Sequence, residues 1–485
     1  MALNSALAKI PSFSEAVERH PESENSADFV TAARFFLIAT LMAAPLAFGS
    51  VQTWAWASLA VMASVLLLLW AIGAARQQKL TIHWSPLYVP AALFLLLGTI
   101  QFIGKLTLDP FGTREALIKL TTDLILFFLA VQLWADAPAR AWKRLGLAVV
   151  IYACALSLFA IVQFFTSHGL LYWRVHSQGY AFGPYVNHND YAGLMEMLVP
   201  IGMCFALFRC LRDSNQVLLI FGVCGAVASV LLSGSRGGMI SLAVEMIILG
   251  LIIWRWKEGP VSGSVRIWSV AALVGATGTA ALILAVTPAS GWQRLASIAG
   301  LVEKPDVTLE NRLAVSRDAL VEVRDYPWLG TGLGSFTSVF PQYQTFPTDL
   351  GWTHAHNDYV EVLTETGITG GLVILLTLLL FAWLAFRGLS DRIKTTRGWI
   401  QLGAALGCCG LLVHSFADFN LRIPANAAWF AVCAALATVP VMVPRTGESP
   451  TLHRNRSRTQ RSDRGHENSD RRRIKNATEV VESEK

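Results

Sequence analysis

Charge is scarce in this chain. Of its 485 residues only 15% are Asp, Glu, Lys or Arg, whereas 54% are hydrophobic, and the mean hydropathy is +0.48. Soluble domains are about a quarter charged, so this composition excludes an ordinary soluble enzyme. The short alternating segments of a β-barrel are missing too. Cysteine is equally uninformative. The seven cysteines (154, 204, 210, 224, 408, 409 and 433) fall in or beside apolar runs, with no metal-ligand spacing to histidine, which argues for small buried hydrophobes rather than disulfides or zinc. No ATP-binding signature occurs. The polar residues 1–28 lack the apolar core and small-residue cleavage site of a secretory signal.

What recurs instead is the apolar run of about 20 residues, long enough to cross a bilayer as a helix. We read about 12 transmembrane helices, near 31–49, 54–74, 86–104, 116–134, 145–166, 191–211, 215–233, 237–256, 266–287, 363–386, 399–416 and 424–444. The expected fold class is an all-α polytopic membrane protein. Its expected organisation is a cytoplasmic N-terminal segment over 1–28, a membrane domain over 29–444 and a basic, disordered cytoplasmic tail over 445–485.

Lys and Arg concentrate in alternate loops: Arg76 and Lys79; Arg140, Lys143 and Arg144; Arg209 and Arg212; Arg255, Lys257 and Arg266; Arg387, Arg392, Lys394 and Arg397. The positive-inside bias makes these loops cytoplasmic, and both termini with them. The Arg-rich tail agrees. It reads as a solvated segment rather than a nucleic-acid surface, since charge runs are usually just solvated. The sparse loops, with Arg114 and Lys119, Arg174, Arg236 and Arg422, then lie outside.

The same topology places the longest connection, 288–355, outside. Loops much beyond a dozen residues are usually functional or disordered. This one contains "TLENRLAVSRDALVEVRDYPWLG", which reads as an amphipathic helix capped by Thr308. Leu309, Leu313, Leu320 and Val323 are expected on one face, and Pro327 stops the helix. The following "GTGLGSF" has neither a strand before it nor a helix directly after it, so we read it as a tight turn rather than a phosphate loop.

Ionisable groups at membrane depth are costly and usually functional. Three clusters stand out on the outer side. Arg236 lies in the very short turn of "LLSGSRGGMISL", where Gly234, Gly237 and Gly238 are expected to let backbone and ligand approach closely; this functional reading is preferred over an interfacial arginine snorkelling to headgroups, because the turn is too tight for the guanidinium to stray far. Arg312, with Arg317 and Arg324, borders the apolar stripe of the loop helix and could face a cleft or solvent. In "THAHNDYVEVLTETG", Asn357, Glu361 and Glu365 recur at i, i+4 and i+8, directly after His354 and His356. Capping and the aromatic belt explain Asn357, Asp358 and Tyr359, but not two histidines beside two carboxylates. A zinc site lacks a further strong ligand.

Arginine holds phosphate bidentately and keeps its charge in apolar surroundings. Histidine can take a proton from a hydroxyl. Together they suit a lipid-linked phosphate or pyrophosphate donor whose bond already carries the energy. The tetrapeptide HNDY occurs twice, at His188–Tyr191 and His356–Tyr359, each just before a helix that returns from the outer side. Because only the second copy is accompanied by His354, Glu361, Glu365 and the long loop, His356 is the expected base. His188 and Asn189 are expected to shape the donor site or simply to start a helix.

The segments "GPYVNHNDYAGLMEMLVPIG", "SGSRGGMISL", "NRLAVSRDALVEVRDYPWLGTGLGSF" and "HAHNDYVEVLTETGITGGL" resemble, in order, the signatures of the O-antigen ligase and O-antigen polymerase superfamily. The resemblance covers roughly 182–372. It implies a glycosyltransferase of the bacterial inner membrane, with a periplasmic active site and no metal or cofactor. Its donor would be a glycan on undecaprenyl pyrophosphate, and its acceptor a growing glycan, lipid A core or protein. It further implies that Arg236, Arg312 and His356 are catalytic. Asn357, Glu361, Glu365, His354, His188 and Asn189 are then expected to line the substrate site, amid membrane lipids. The competing reading is a secondary transporter or exporter of such a glycan, with HNDY marking repeats; it would require broken helices near the midplane.

Overall fold

The computed structural model describes residues 21–76, 81–176, 180–208, 213–255, 307–347 and 351–440. Beyond two isolated β-bridges, the regular elements among these residues are helices. Twelve of them have fifteen or more residues: α1 (Pro21–Leu46), α2 (Thr53–Arg76), α3 (Tyr88–Ile103), α4 (Pro110–Trp134), α5 (Ala139–Thr166), α6 (His188–Leu207), α7 (Asp213–Ser233), α8 (Arg236–Arg255), α9 (Val307–Asp325), α10 (Asp358–Phe386), α11 (Thr396–His414) and α12 (Pro424–Thr438).

Eight of the described helices are long and apolar enough to cross a membrane: α1, α2, α4, α5, α6, α7, α8 and α10. Helices α3 and α12 are apolar but shorter, and α11 carries Arg397, Gln401 and His414 in its 19 residues. Eleven of the twelve expected spans thus coincide with helices, eight of them fully span-like. The expected span 266–287 and the tail 445–485 lie outside the described residues. The protein is an all-α, multi-pass membrane protein.

Side-chain caps set several helix starts. Asp109 accepts from the N–H groups of Phe111 and Gly112, with Pro110 opening α4. Asn187 caps α6, Asn357 caps α10 and Thr395 caps α11, each satisfying donors that the helix leaves free.

Helix α6 lies at the centre, 94% buried, and α11 packs along it. "GAALG" in α11 explains the closeness: a Cβ added at Gly403 would sit 2.5 Å from Ile201 Cα, and one at Gly407 would sit 2.6 Å from Met197 Cα. Small residues four apart let two backbones touch, which is how helices gain contact in lipid, where the hydrophobic effect does not drive association.

The loop helix α9 forms where the spacing predicts it, but it presents a different face. Leu313 and Leu320 are 57% and 45% exposed, whereas Val315, Asp318, Ala319 and Glu322 are buried. Asp318 is buried because its carboxylate accepts from the backbone N–H and hydroxyl of Thr345, and Glu322 because it accepts from the Thr331 hydroxyl. Polar partners in the loop therefore outcompete the leucine stripe for the inward face. The cap expected at Thr308 falls where side chains lie outside the described residues. The glycine-rich "GTGLGSF" is a packed turn. Gly332 N–H donates to the Glu365 carbonyl at 3.0 Å, and a Cβ on Gly330 would lie 2.3 Å from the Glu365 carbonyl carbon.

Candidate active site

The chain approaches α10 through "GWTHAHNDY". His356 has φ +51°, a left-handed conformation that costs a non-glycine residue about 1–3 kcal/mol and persists only where neighbours hold it. They do so on both sides. Ala355 N–H donates to Glu361 Oε2 at 2.8 Å, and Asp358 N–H to the Ser415 carbonyl at 2.9 Å. The imidazole stands between Trp352 and Phe419, with ring centroids 5.5 and 4.8 Å away.

His356 Nδ1 lies 3.2 Å from Asp418 Oδ1. A carboxylate only accepts, so the proton sits on Nδ1 and Nε2 is left with its lone pair. Nε2 makes no hydrogen bond among the described residues, and the His356 side chain keeps 21% of its exposure. It can therefore meet an incoming hydroxyl.

Asp418, in the connection between α11 and α12, is the hub. Its side chain is 1% exposed. Besides His356, Oδ1 accepts from Phe419 N–H at 3.0 Å. Oδ2 accepts from Asn189 Nδ2 of α6 and lies 3.7 Å from Arg312 Nη1 of α9. Arg312 also donates to the Ala417 carbonyl at 2.5 Å. Burial by itself would push the Asp418 carboxyl up, but the His356 hydrogen bond and the Arg312 guanidinium outweigh it and hold the carboxyl well below the usual range.

Behind His356 lies a buried ionic layer. Glu361 Oε1 meets His354 Nδ1 at 2.9 Å, and His354 stacks on Phe419 at 4.2 Å. Arg422 reaches Glu361 with Nε at 3.2 Å and Glu365 with Nη2 at 2.7 Å. Asp358 Oδ2 accepts from the Ser415 hydroxyl and Leu421 N–H at 2.8 and 3.2 Å. Asn357 is committed at both ends, accepting from Tyr359 and Val360 N–H and donating to the Phe416 carbonyl. Because His354 turns to Glu361 and His356 to Asp418, the two histidines do not converge. Among the described residues no His, Cys, Asp and Glu group is placed to hold a metal ion.

Arg236 opens α8, after a two-residue turn from α7. The glycines beside it serve a different purpose from the expected one. A Cβ on Gly237 would lie 2.4 Å from His414 Nε2, and one on Gly238 would lie 3.1 Å from Glu196 Oε1. They make room for a buried pair, His414 Nδ1 and Glu196 Oε1, 2.8 Å apart, rather than for a ligand. The His414 carbonyl in turn accepts Asp418 N–H at 3.1 Å, so the Arg236 turn leans on the helix end that carries Asp418.

Of the residues singled out in the sequence, His356, Asn189 and Arg312 meet at one carboxylate, and His354, Glu361 and Glu365 lie directly behind. His188 instead packs its ring on Tyr180, 5.0 Å away. Arg317 is 71% exposed, and Arg324 is exposed as well. Sequence reasoning passed over Asp418 and His414, and took Arg422 only as an outer-loop arginine. The available signal was an acid and a base in "HSFADFNLR", a short connection on the same expected side as HNDY.

No curated protein matches the chain. Residues 220–375 match the family model described as O-antigen ligase, a stretch that contains Arg236, Arg312, His356, Glu361 and Glu365 but ends before Asp418. Over these residues the chain is similar to the O-antigen ligase family, which supports the resemblance seen in the sequence.

Proposed function

We propose that the protein transfers a glycan from undecaprenyl pyrophosphate to an acceptor hydroxyl. The reaction takes place at the periplasmic end of an inner-membrane bundle whose termini are both cytoplasmic. The observation that carries this reading is the His356–Asp418 pair, with Arg312 on the second carboxylate oxygen; His356 and Arg312 lie within the stretch that matches the O-antigen ligase family.

His356 Nε2 takes the proton of the acceptor hydroxyl, and that oxygen attacks the anomeric carbon. The new glycosidic bond forms as the bond to the pyrophosphate oxygen breaks, with inversion at the anomeric carbon. The electron pair leaves on undecaprenyl pyrophosphate, and the proton passes from His356 to water. Asp418 holds the imidazole in its Nδ1–H tautomer and stabilises the imidazolium that forms. A paired carboxylate does the same for histidine in other hydroxyl-activating sites. Arg236 and Arg312 face the charge growing on the leaving group, where preorganised cations contribute most. Asn357, Glu361 and His354 support this reaction by shaping the wall behind His356, and Asn189 by holding Asp418.

Purified protein in vesicles with an undecaprenyl-pyrophosphate glycan and candidate acceptors tests the proposal. New glycoside and free undecaprenyl pyrophosphate are expected in equal amounts. Movement of intact glycan lipid across the vesicle without any bond exchange would overturn it in favour of a transporter. The acceptor class follows from the product. Elongated lipid-linked chains mark a polymerase, glycan on lipid A core a ligase, and glycan on protein an oligosaccharyltransferase.

A further inference from the structure

The bond between His356 and Asp418 is long for its kind, 3.2 Å, near the upper limit for an N–H···O bond. A small rotation of either side chain breaks it. The two residues belong to separate connections, one entering α10 and the other joining α11 to α12. Something must hold these connections in register.

We infer that Arg422 is a positioning residue: by gripping Glu361 and Glu365 it fixes the connection bearing Asp418 to the connection bearing His356. This rests on the transfer reading above for its effect on rate. Glu361 is the shared point. Its Oε2 accepts the N–H of Ala355, the residue before His356, while its Oε1 meets Arg422 Nε. On the other side, Arg422 N–H donates to the Phe419 carbonyl at 2.9 Å, closing a tight turn directly after Asp418. Each half of the pair is thus one short, hydrogen-bonded step from the same carboxylate. Glu365 gives the guanidinium a second anchor at 2.7 Å, so the fork cannot pivot about a single contact. Both carboxylates are about 1–2% exposed and the Arg422 side chain 17%, so water does not compete for these bonds.

A plain counter-ion would also sit among buried acids. The difference is that a counter-ion can be removed together with one of the acids, whereas a positioning fork cannot. The charge-balanced double variant Arg422→Met/Glu365→Gln separates the two, and Arg422→Lys, which keeps the charge but loses the fork, stands in should the double variant not fold. Diethyl pyrocarbonate modification of His356, followed by mass spectrometry across pH, reads the His356–Asp418 contact without any transfer assay. Asp418→Asn supplies the reference in which that contact is lost. We expect the modification midpoint in the double variant, and in Arg422→Lys, to move at least about half way to that of Asp418→Asn. In vesicles we expect kcat to fall about tenfold or more, with KM for the lipid-linked donor within about twofold. A folded double variant or lysine variant with the wild-type midpoint and kcat would overturn the inference. If the wild-type protein transfers no glycan, the transfer reading fails, while the modification profile still decides the role of Arg422.

Discussion

The two HNDY copies carry the same four letters and do different things. In the first, the helix starts at the motif histidine, with Asn187 as its cap. In the second, it starts at the motif aspartate, and the motif asparagine Asn357 is the cap. The helix therefore begins two residues earlier within the first motif. At about 100° per residue, that offset turns equivalent side chains to different sides. Asn189 is thereby inside α6 and reaches Asp418, while its counterpart Asn357 is spent on backbone N–H groups. His188 packs on Tyr180, while His356, outside its helix and in left-handed backbone, faces Asp418. The copies are complementary: each delivers one residue to a different oxygen of one carboxylate. A repeated motif is thus not a repeated device, and helix register decides what it does.

Exchanging equivalent positions breaks or sharpens this comparison. The largest expected effect is His356→Ala, with a loss of transfer on the order of 10³-fold. His188→Ala is expected to stay within about threefold, because its ring packs on Tyr180. Equal losses in vesicle assays would erase the distinction between the copies. Next comes the carboxylate on which they meet. Asp418→Asn is expected to lower kcat about 10²-fold or more, since an amide no longer fixes the imidazole tautomer. A near wild-type kcat would mean that the copies converge on a structural residue only.

The asparagines should then separate by type of defect. Asn189→Ala is expected to cost about tenfold in kcat and about 1–3 kcal/mol of stability, because buried Asp418 loses one donor. Asn357→Ala is expected to lower stability by about 1 kcal/mol, the usual cost of a lost helix cap. Thermal unfolding in detergent beside the transfer assay reads both, and the reverse pattern would swap the two roles.

The smallest effect is a titration behind the second copy. Burial pushes the Glu322 carboxyl up to about 7, with the Thr331 hydrogen bond opposing and the nearby Glu365 and Glu361 adding to it. An unfolded glutamate titrates near 4.3. Between these values the folded state holds the extra proton, so this group's contribution to stability falls as pH rises from about 4.3 to 7 and stays low above that. Asp418 works in the opposite sense. Its carboxyl is held low in the fold, so its contribution is full above about pH 4 and is lost as pH falls toward the lowered folded value. Glu322→Gln is expected to flatten the fall in thermal midpoint across the first window; an unchanged slope would assign that fall to other groups.

The sequence by itself determined the membrane character, because apolar runs of bilayer length leave a helix bundle as the only way to satisfy the backbone there. It also marked Arg236, Arg312, His356, Glu361 and Glu365, because charge in so apolar a chain is conspicuous. It did not mark which face of α9 turns inward, since Asp318 and Glu322 are buried by partners in the Thr331 and Thr345 region that no helical period encodes. Nor did it mark Asp418, which lies 62 residues beyond His356 and looks like any loop acid until α11 sets it under the imidazole. Sequence reports cost, as each ionisable group placed among apolar ones is expensive. Only the tertiary structure decides who compensates it, because hydrogen bonds and ion pairs act over about 3–4 Å in space and take no account of distance along the chain.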